Sequence, residues 1–279
     1  MTNMIASSID RIDYEESGTG PTVIFVPGSC STGAAWRPVI AALGGQFRCI
    51  TTSLPGYGGT AERRSPIDPP VLREVEVVEH VVRRAVDSRD VPVHLVGHSF
   101  GGLVGLAMAL GGTVRLASLT ILEAPLPGVL QACDEAEAYR AFRDMTDRYF
   151  AAYRAGQPEA IAVMIDFYGG AGTFASWPRR LQDHVVTTTP VNMLDWNSAY
   201  GFQPAPTVLQ KILVPTQVVC GGLSHPAVRR GNELVSIHLP NASYSAIRDA
   251  RHFMLGSHPD EVAYFVARHV NEHTTHRSP

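Results

Sequence analysis

The 279-residue chain has no internal repeat, no low-complexity segment and no long block of like charge. Its 23 Lys and Arg against 26 Asp and Glu leave a formal net charge of −3. Charge this balanced offers no electrostatic footprint for nucleic acid or an anionic membrane, and it points to a small-molecule or protein partner. Only four cysteines occur, Cys30, Cys49, Cys133 and Cys220, with no CxxC pair. Neither a disulfide framework nor a cysteine-based zinc site is expected, and reduced cysteines packed in a core are the plain reading. Long apolar runs are missing too: VIFV and LVGLAMAL fall far short of the roughly 18 residues that a membrane span requires. The N-terminal MTNMIASSIDRID lacks a basic segment followed by an apolar stretch, so a cytoplasmic protein without a leader is expected.

What is present suits one large domain, or one domain carrying an insertion, because 45% hydrophobic residues can build a substantial core. In the first half, short β-branched runs alternate with helical patterns: PTVIFVPG (21–28), WRPVIAALGG, FRCITTSLPG (47–56), VLREVEVVEHVVRRAV (71–86), VPVHLVGHS (91–99), SFGGLVGLAMALGG and LASLTILEAP (116–125). That rhythm predicts an α/β fold with a mostly parallel sheet. Residues 127–206 break it with helical patterns and no convincing strand. Strand, turn and helix then resume at VPTQVVCGG (214–222), ASYSAIRDARHF (242–253) and PDEVAYFVARHV (259–270).

The most informative motif is Gly97-His98-Ser99-Phe100-Gly101, a G-x-S-x-G between a predicted strand and a predicted helix. A serine on such a turn projects its hydroxyl from the sheet edge, and the flanking glycines permit the tight backbone. The helix N-terminus adds free N–H groups near a developing oxyanion. A serine hydroxyl needs a base at neutral pH, and histidine has the fitting chemistry. Among eleven histidines, His252 follows the last predicted strand. His98 is expected to pack or line a pocket. His269, His273 and His276 stand at steps of four and three that could mimic a metal site, but a solvated face is expected there.

In order along the chain, FVPGSCSTGAAW, SLPGYGGT, GHSFGG, a helical insertion and a late ARHF resemble the α/β-hydrolase family. The resemblance implies an α/β-hydrolase core formed by residues 1–126 and 207–279, with residues 127–206 inserted as a helical lid. It implies Ser99 as nucleophile and His252 as base. The backbone N–H groups of Ser29, in a Pro27-Gly28-Ser29 turn where the family usually has His-Gly-X, and of Phe100 would form the oxyanion hole. No metal or organic cofactor is implied. Serine at the nucleophile position argues against dehalogenase and epoxide-hydrolase relatives, which use Asp there.

The family usually places its acid after the strand that VPTQVVCGG represents, where this chain has Ser224 and His225. Some relatives carry it one strand earlier, and here that position is Glu123, at the end of LTILEAP. The order Ser99, Glu123, His252 keeps the family's sequence of roles. Asp249, Asp166 and Asp195 are weaker rivals.

Aromatic residues through the insertion, among them Tyr149, Phe167, Tyr168, Trp177 and Trp196, predict a mainly hydrophobic pocket. FYGGAGTF (167–174) is a candidate flexible segment over its mouth. The expected activity is hydrolysis of an ester, thioester or lactone of a hydrophobic small molecule. A carbon-carbon bond hydrolase or lyase on the same fold, and a binding protein that retains the scaffold, remain alternatives.

Overall fold

The runs TVIFV, VHLVGH, LASLTIL and TQVVCG are apolar enough that both faces of each strand need cover, and they find it in one sheet. The computed structural model describes residues 11–65, 67–68, 70–86 and 91–274. Its strands are β1 (Glu15–Ser17), β2 (Thr22–Val26), β3 (Arg48–Thr51), β4 (Val93–His98), β5 (Leu116–Leu122), β6 (Thr216–Gly221) and β7 (Ala242–Ile247). They lie in the order β1-β3-β2-β4-β5-β6-β7; β1 runs antiparallel and the others are parallel. The chain thus reverses its direction of winding between β2 and β4, and the C-terminal strand ends converge there, the usual place for a site in such sheets.

Alternation along the strands divides the core into two layers. Ile24, Val26, Leu95, Leu119 and Ile121 face the helices Leu72–Ala85 and Phe100–Gly111. Val23, Phe25, Val96, Leu122 and Val219 face Trp36, Leu43, Val262 and Val266 on the other side. Each fully buried aliphatic side chain contributes about 1.5–3 kcal/mol of transfer free energy, against at most about 1 kcal/mol for a surface ion pair. The two apolar faces therefore dominate over surface charge in holding the body together.

Three local features depart from the sequence reading. WRPVIAALGG holds the one expected helix, Arg37–Ala42, but it is entered through an unanticipated 3-10 turn, Gly33–Trp36, capped by Thr32. The three exposed residues of β1 carry no apolar signal. The helix Pro226–His238, unanticipated, starts where His225 Nδ1 accepts from Ala227 N at 3.2 Å and proline occupies the first turn. Its buried Ala227, Val228, Gly231, Leu234 and Val235 follow helical spacing, but Arg229, Arg230 and Glu233 dilute the pattern.

Between β5 and β6, seven helices fill residues 127–209. Two of them, Ala162–Gly169 and Thr189–Gly201, reach over the C-terminal strand ends. No described helix is long and apolar enough to cross a membrane.

Candidate active site

Ser99 sits between β4 and the helix Phe100–Gly111 at φ 52° and ψ −126°. This is a strained conformation for a residue with a side chain, of the kind that costs about 1–3 kcal/mol. The surroundings hold it: Ser99 N donates to Leu122 O at 2.8 Å, and Ser99 O accepts from Gly102 N at 2.8 Å. The flanking glycines are a steric necessity. A Cβ at Gly97 would lie 2.3 Å from Gly101 O, and one at Gly101 would lie 2.4 Å from Val26 O.

His252 follows β7 and is buried, with Nε2 3.0 Å from Ser99 Oγ. Its Nδ1 lies 2.8 Å from Glu123 Oε2. Glu123, at φ 48° just past β5, is fully buried, and its Oε1 accepts from Gly221 N at 2.5 Å. Burial alone would raise its carboxyl pKa. The hydrogen bond and charge of His252, helped by the Gly221 N–H, outweigh that and leave it below the ordinary carboxylate value. The three side chains form one hydrogen-bonded line, which can take a proton from Ser99 while Glu123 fixes the tautomer of His252.

Two aromatic rings brace the histidine. Tyr168 stacks on it at 4.1 Å. His98 Nε2 lies 2.8 Å from the His252 carbonyl, and the rings are 4.8 Å apart. Burial, followed by the neighbouring His252, pushes the His98 pKa down to about 3, so His98 is a neutral ring that donates its Nε2–H to that carbonyl. Ser29 and Phe100 line the cavity beside Ser99, and among the described residues no hydrogen bond occupies either backbone N–H.

The other candidates go elsewhere. Asp249 is exposed, and Asp166 instead accepts from Gly172 N and Phe174 N at 3.0 and 2.8 Å, tying down the FYGGAGTF segment. His225 caps its helix and stacks on Phe167 at 4.1 Å. Ser224 is buried near the Glu123 carboxylate, close enough to favour its ionised form; its hydroxyl makes no hydrogen bond of its own. His269, Glu272 and His273 bring ligand-type atoms within 4.8 Å of one another. His269 is not on a solvated face: it is buried, with Nε2 3.3 Å from Pro215 O. His276 lies outside the described residues.

Sequence reasoning undervalued Asp195 and overlooked Asn192. Both are buried on the helix Thr189–Gly201 and line the cavity over Ser99. Asp195 Oδ2 accepts from the Tyr57 hydroxyl at 2.5 Å and Oδ1 from Arg64 Nη1 at 2.5 Å. Arg64 also contacts Glu74 at 3.0 Å and Glu62 at 2.7 Å, while the Ser198 hydroxyl donates to Glu74 at 2.8 Å. Burial raises the Asp195 pKa to about 6, against the lowering pull of Arg64 and of the Ser29 and Tyr57 hydroxyls. The expectation of a mainly hydrophobic pocket is therefore refined: one wall is polar.

A model described as the alpha/beta hydrolase family matches residues 23–263. The chain belongs to this family. Among curated relatives, the pimeloyl-[acyl-carrier protein] methyl ester esterase of Vibrio cholerae is 30% identical over 161 residues, 53% of this chain and 58% of that protein. The matches span about half the length of the first such relatives, from 45% to 58%. Two similar solved structures are MenH from S. aureus, with a TM-score of 0.74, 17% identity and coverage of 96% and 100% of the two chains, and a thermophilic esterase from Thermogutta terrifontis, with a TM-score of 0.73, 21% identity and coverage of 94% of each. At these identities the structural likeness establishes the hydrolase fold alone.

Proposed function

We propose that this alpha/beta hydrolase cleaves carboxylic esters, thioesters or lactones through an acyl-enzyme on Ser99. The observation that carries the reading is the unbroken line from Ser99 Oγ through His252 to the buried Glu123, opening onto a cavity. The esterase among its curated relatives supports the reaction class.

In this scheme Ser99 Oγ attacks the substrate carbonyl while its proton passes to His252 Nε2. Glu123 holds the Nδ1–H and stabilises the imidazolium. The carbonyl oxygen becomes an oxyanion held by the Ser29 and Phe100 N–H groups, each worth about 2.7–4 kcal/mol at the transition state. Collapse of the intermediate expels the alcohol, thiol or ring oxygen, which takes the proton from His252. Water, deprotonated by the same histidine, then attacks the acyl-enzyme and releases the acid with Ser99 restored. No step draws on a metal or organic cofactor. Residues 127–206 act as the lid, with Tyr168, Met164 and Trp196 limiting the water around the reacting carbonyl.

A panel of nitrophenyl and aliphatic esters, assayed with the wild type and Ser99→Ala, tests the proposal. Turnover should be measurable and should fall at least 1,000-fold in the variant. Turnover that survives Ser99→Ala, or a wild type inert toward every ester, thioester and lactone offered, overturns it.

A further inference from the structure

Ser99 stands between two spaces of different character. The larger, about 330 Å³, is walled by Ala35, Trp177, Leu181, Val185 and Leu255 and is mainly apolar. The smaller, about 40 Å³, lies under the helix Thr189–Gly201. At roughly 10–15 Å³ for each water-sized group, it accepts about three such groups. A long chain fits only the first space, and a short arm fits the second.

Two buried polar side chains, the Asn192 amide and the Asp195 carboxylate, stand on the wall of the smaller space. Asn192 and Asp195 are one helical turn apart and no more than 2% exposed. Asn192 Oδ1 is fully buried and has no hydrogen-bond partner. Such an orphan is costly in a dry interior unless a ligand satisfies it. An ionised carboxylate has about four acceptor positions; on Asp195 Arg64 and Tyr57 take one on each oxygen, and the Ser29 hydroxyl is near enough to support the charge as well. The charge behind this wall is also one-sided: Arg64 is shared by Asp195, Glu74 and Glu62. That arrangement favours an O–H or N–H donor and opposes a second carboxylate.

We infer that Asn192 and Asp195 form a subsite that selects esters whose short arm carries a hydroxyl or amino group separated from the scissile carbonyl carbon by no more than three heavy atoms. The longer, apolar arm lies in the larger groove. The inference rests on the ester-hydrolase reading and narrows its substrate class.

Matched pairs test it in both orientations: octyl lactate and octyl alaninate against octyl propionate, and 2-hydroxyethyl octanoate against propyl octanoate. Mono-octyl succinate supplies the carboxylate control. In one orientation the donor-bearing ester should exceed its match at least tenfold in kcat/KM, and the succinate should be slowest. Whichever of lactate and alaninate is faster identifies the donor. Asn192→Leu and Asn192→Ala should bring the ratio within a pair close to one. Serine-dependent turnover with equal rates inside every pair overturns the subsite and leaves the hydrolase reading intact. Should none of these esters be turned over, calorimetric titration of Ser99→Ala with the same pairs decides the subsite, and the wider panel of esters, thioesters and lactones decides the hydrolase reading. Tighter binding of the donor-bearing member, lost in Asn192→Leu, supports it; equal or absent binding overturns it.

Discussion

The Glu123 carboxylate joins two strand ends: one oxygen lies 2.8 Å from His252 Nδ1, and the other accepts the Gly221 N–H at 2.5 Å. Glu123→Gln keeps the shape and an acceptor for Gly221. Its amide can, however, present an N–H to Nδ1, which favours the tautomer with the proton on Nε2 and removes the base facing Ser99. Ester turnover should fall about 1,000- to 10,000-fold in kcat with the thermal midpoint little changed. A variant with undiminished kcat shows that another group orients the histidine.

Ser224 lies beside that carboxylate, in the turn where the α/β-hydrolase resemblance leads one to expect the acid. In a Glu123→Ala background, Ser224→Asp should therefore recover at least tenfold of the lost kcat, because a carboxylate one turn away can refill the vacated space. Equal activity in the single and double variants rules out the exchange.

The candidate site is readable in the sequence for a steric reason. Gly97 and Gly101 must lack a Cβ for the Ser99 turn to close, so the motif records geometry directly. Glu123 comes from the α/β-hydrolase resemblance, in which some relatives carry the acid one strand earlier; Ser224 and His225 only leave the later turn without one. Asn192, Asp195 and Ser198 are harder to see. Their three-residue steps mimic the wet face of an amphipathic helix, yet all three are buried. What turns that stripe inward is Arg64 and Tyr57, more than 130 positions away from Asp195, and no local pattern encodes such a meeting.

Arg64 is the counter-charge for that stripe, with only 4% of its side chain exposed. Arg64→Ala strands Asp195 and Glu74 in the interior and should cost about 3–5 kcal/mol by urea unfolding at pH 7. Arg64→Lys should recover only part of this, since an ammonium cannot reproduce the fork that reaches three carboxylates at once. A loss below about 1 kcal/mol in Arg64→Ala argues against a tightly coupled buried cluster.

Asp195 gives stability an unusual pH dependence. Its folded pKa of about 6 lies above the ordinary 3.8, because burial opposes its charge more than Arg64 and its hydroxyl partners support it. The folded protein therefore holds this proton more tightly than the unfolded chain. The resulting stability is complete below about pH 3.8 and is lost as the pH rises through 6. About two pH units correspond to about 3 kcal/mol. Glu123, whose pKa is lowered, has the opposite sign: its contribution is present at higher pH and is lost on acidification. Comparing wild type with Asp195→Asn cancels that background. Between pH 4 and 7, unfolding free energies should shift against the wild type by roughly this amount as the pH rises. A difference that stays flat means that Arg64 keeps Asp195 ionised throughout, and the acceptor wall over Ser99 then retains its charge even in acid.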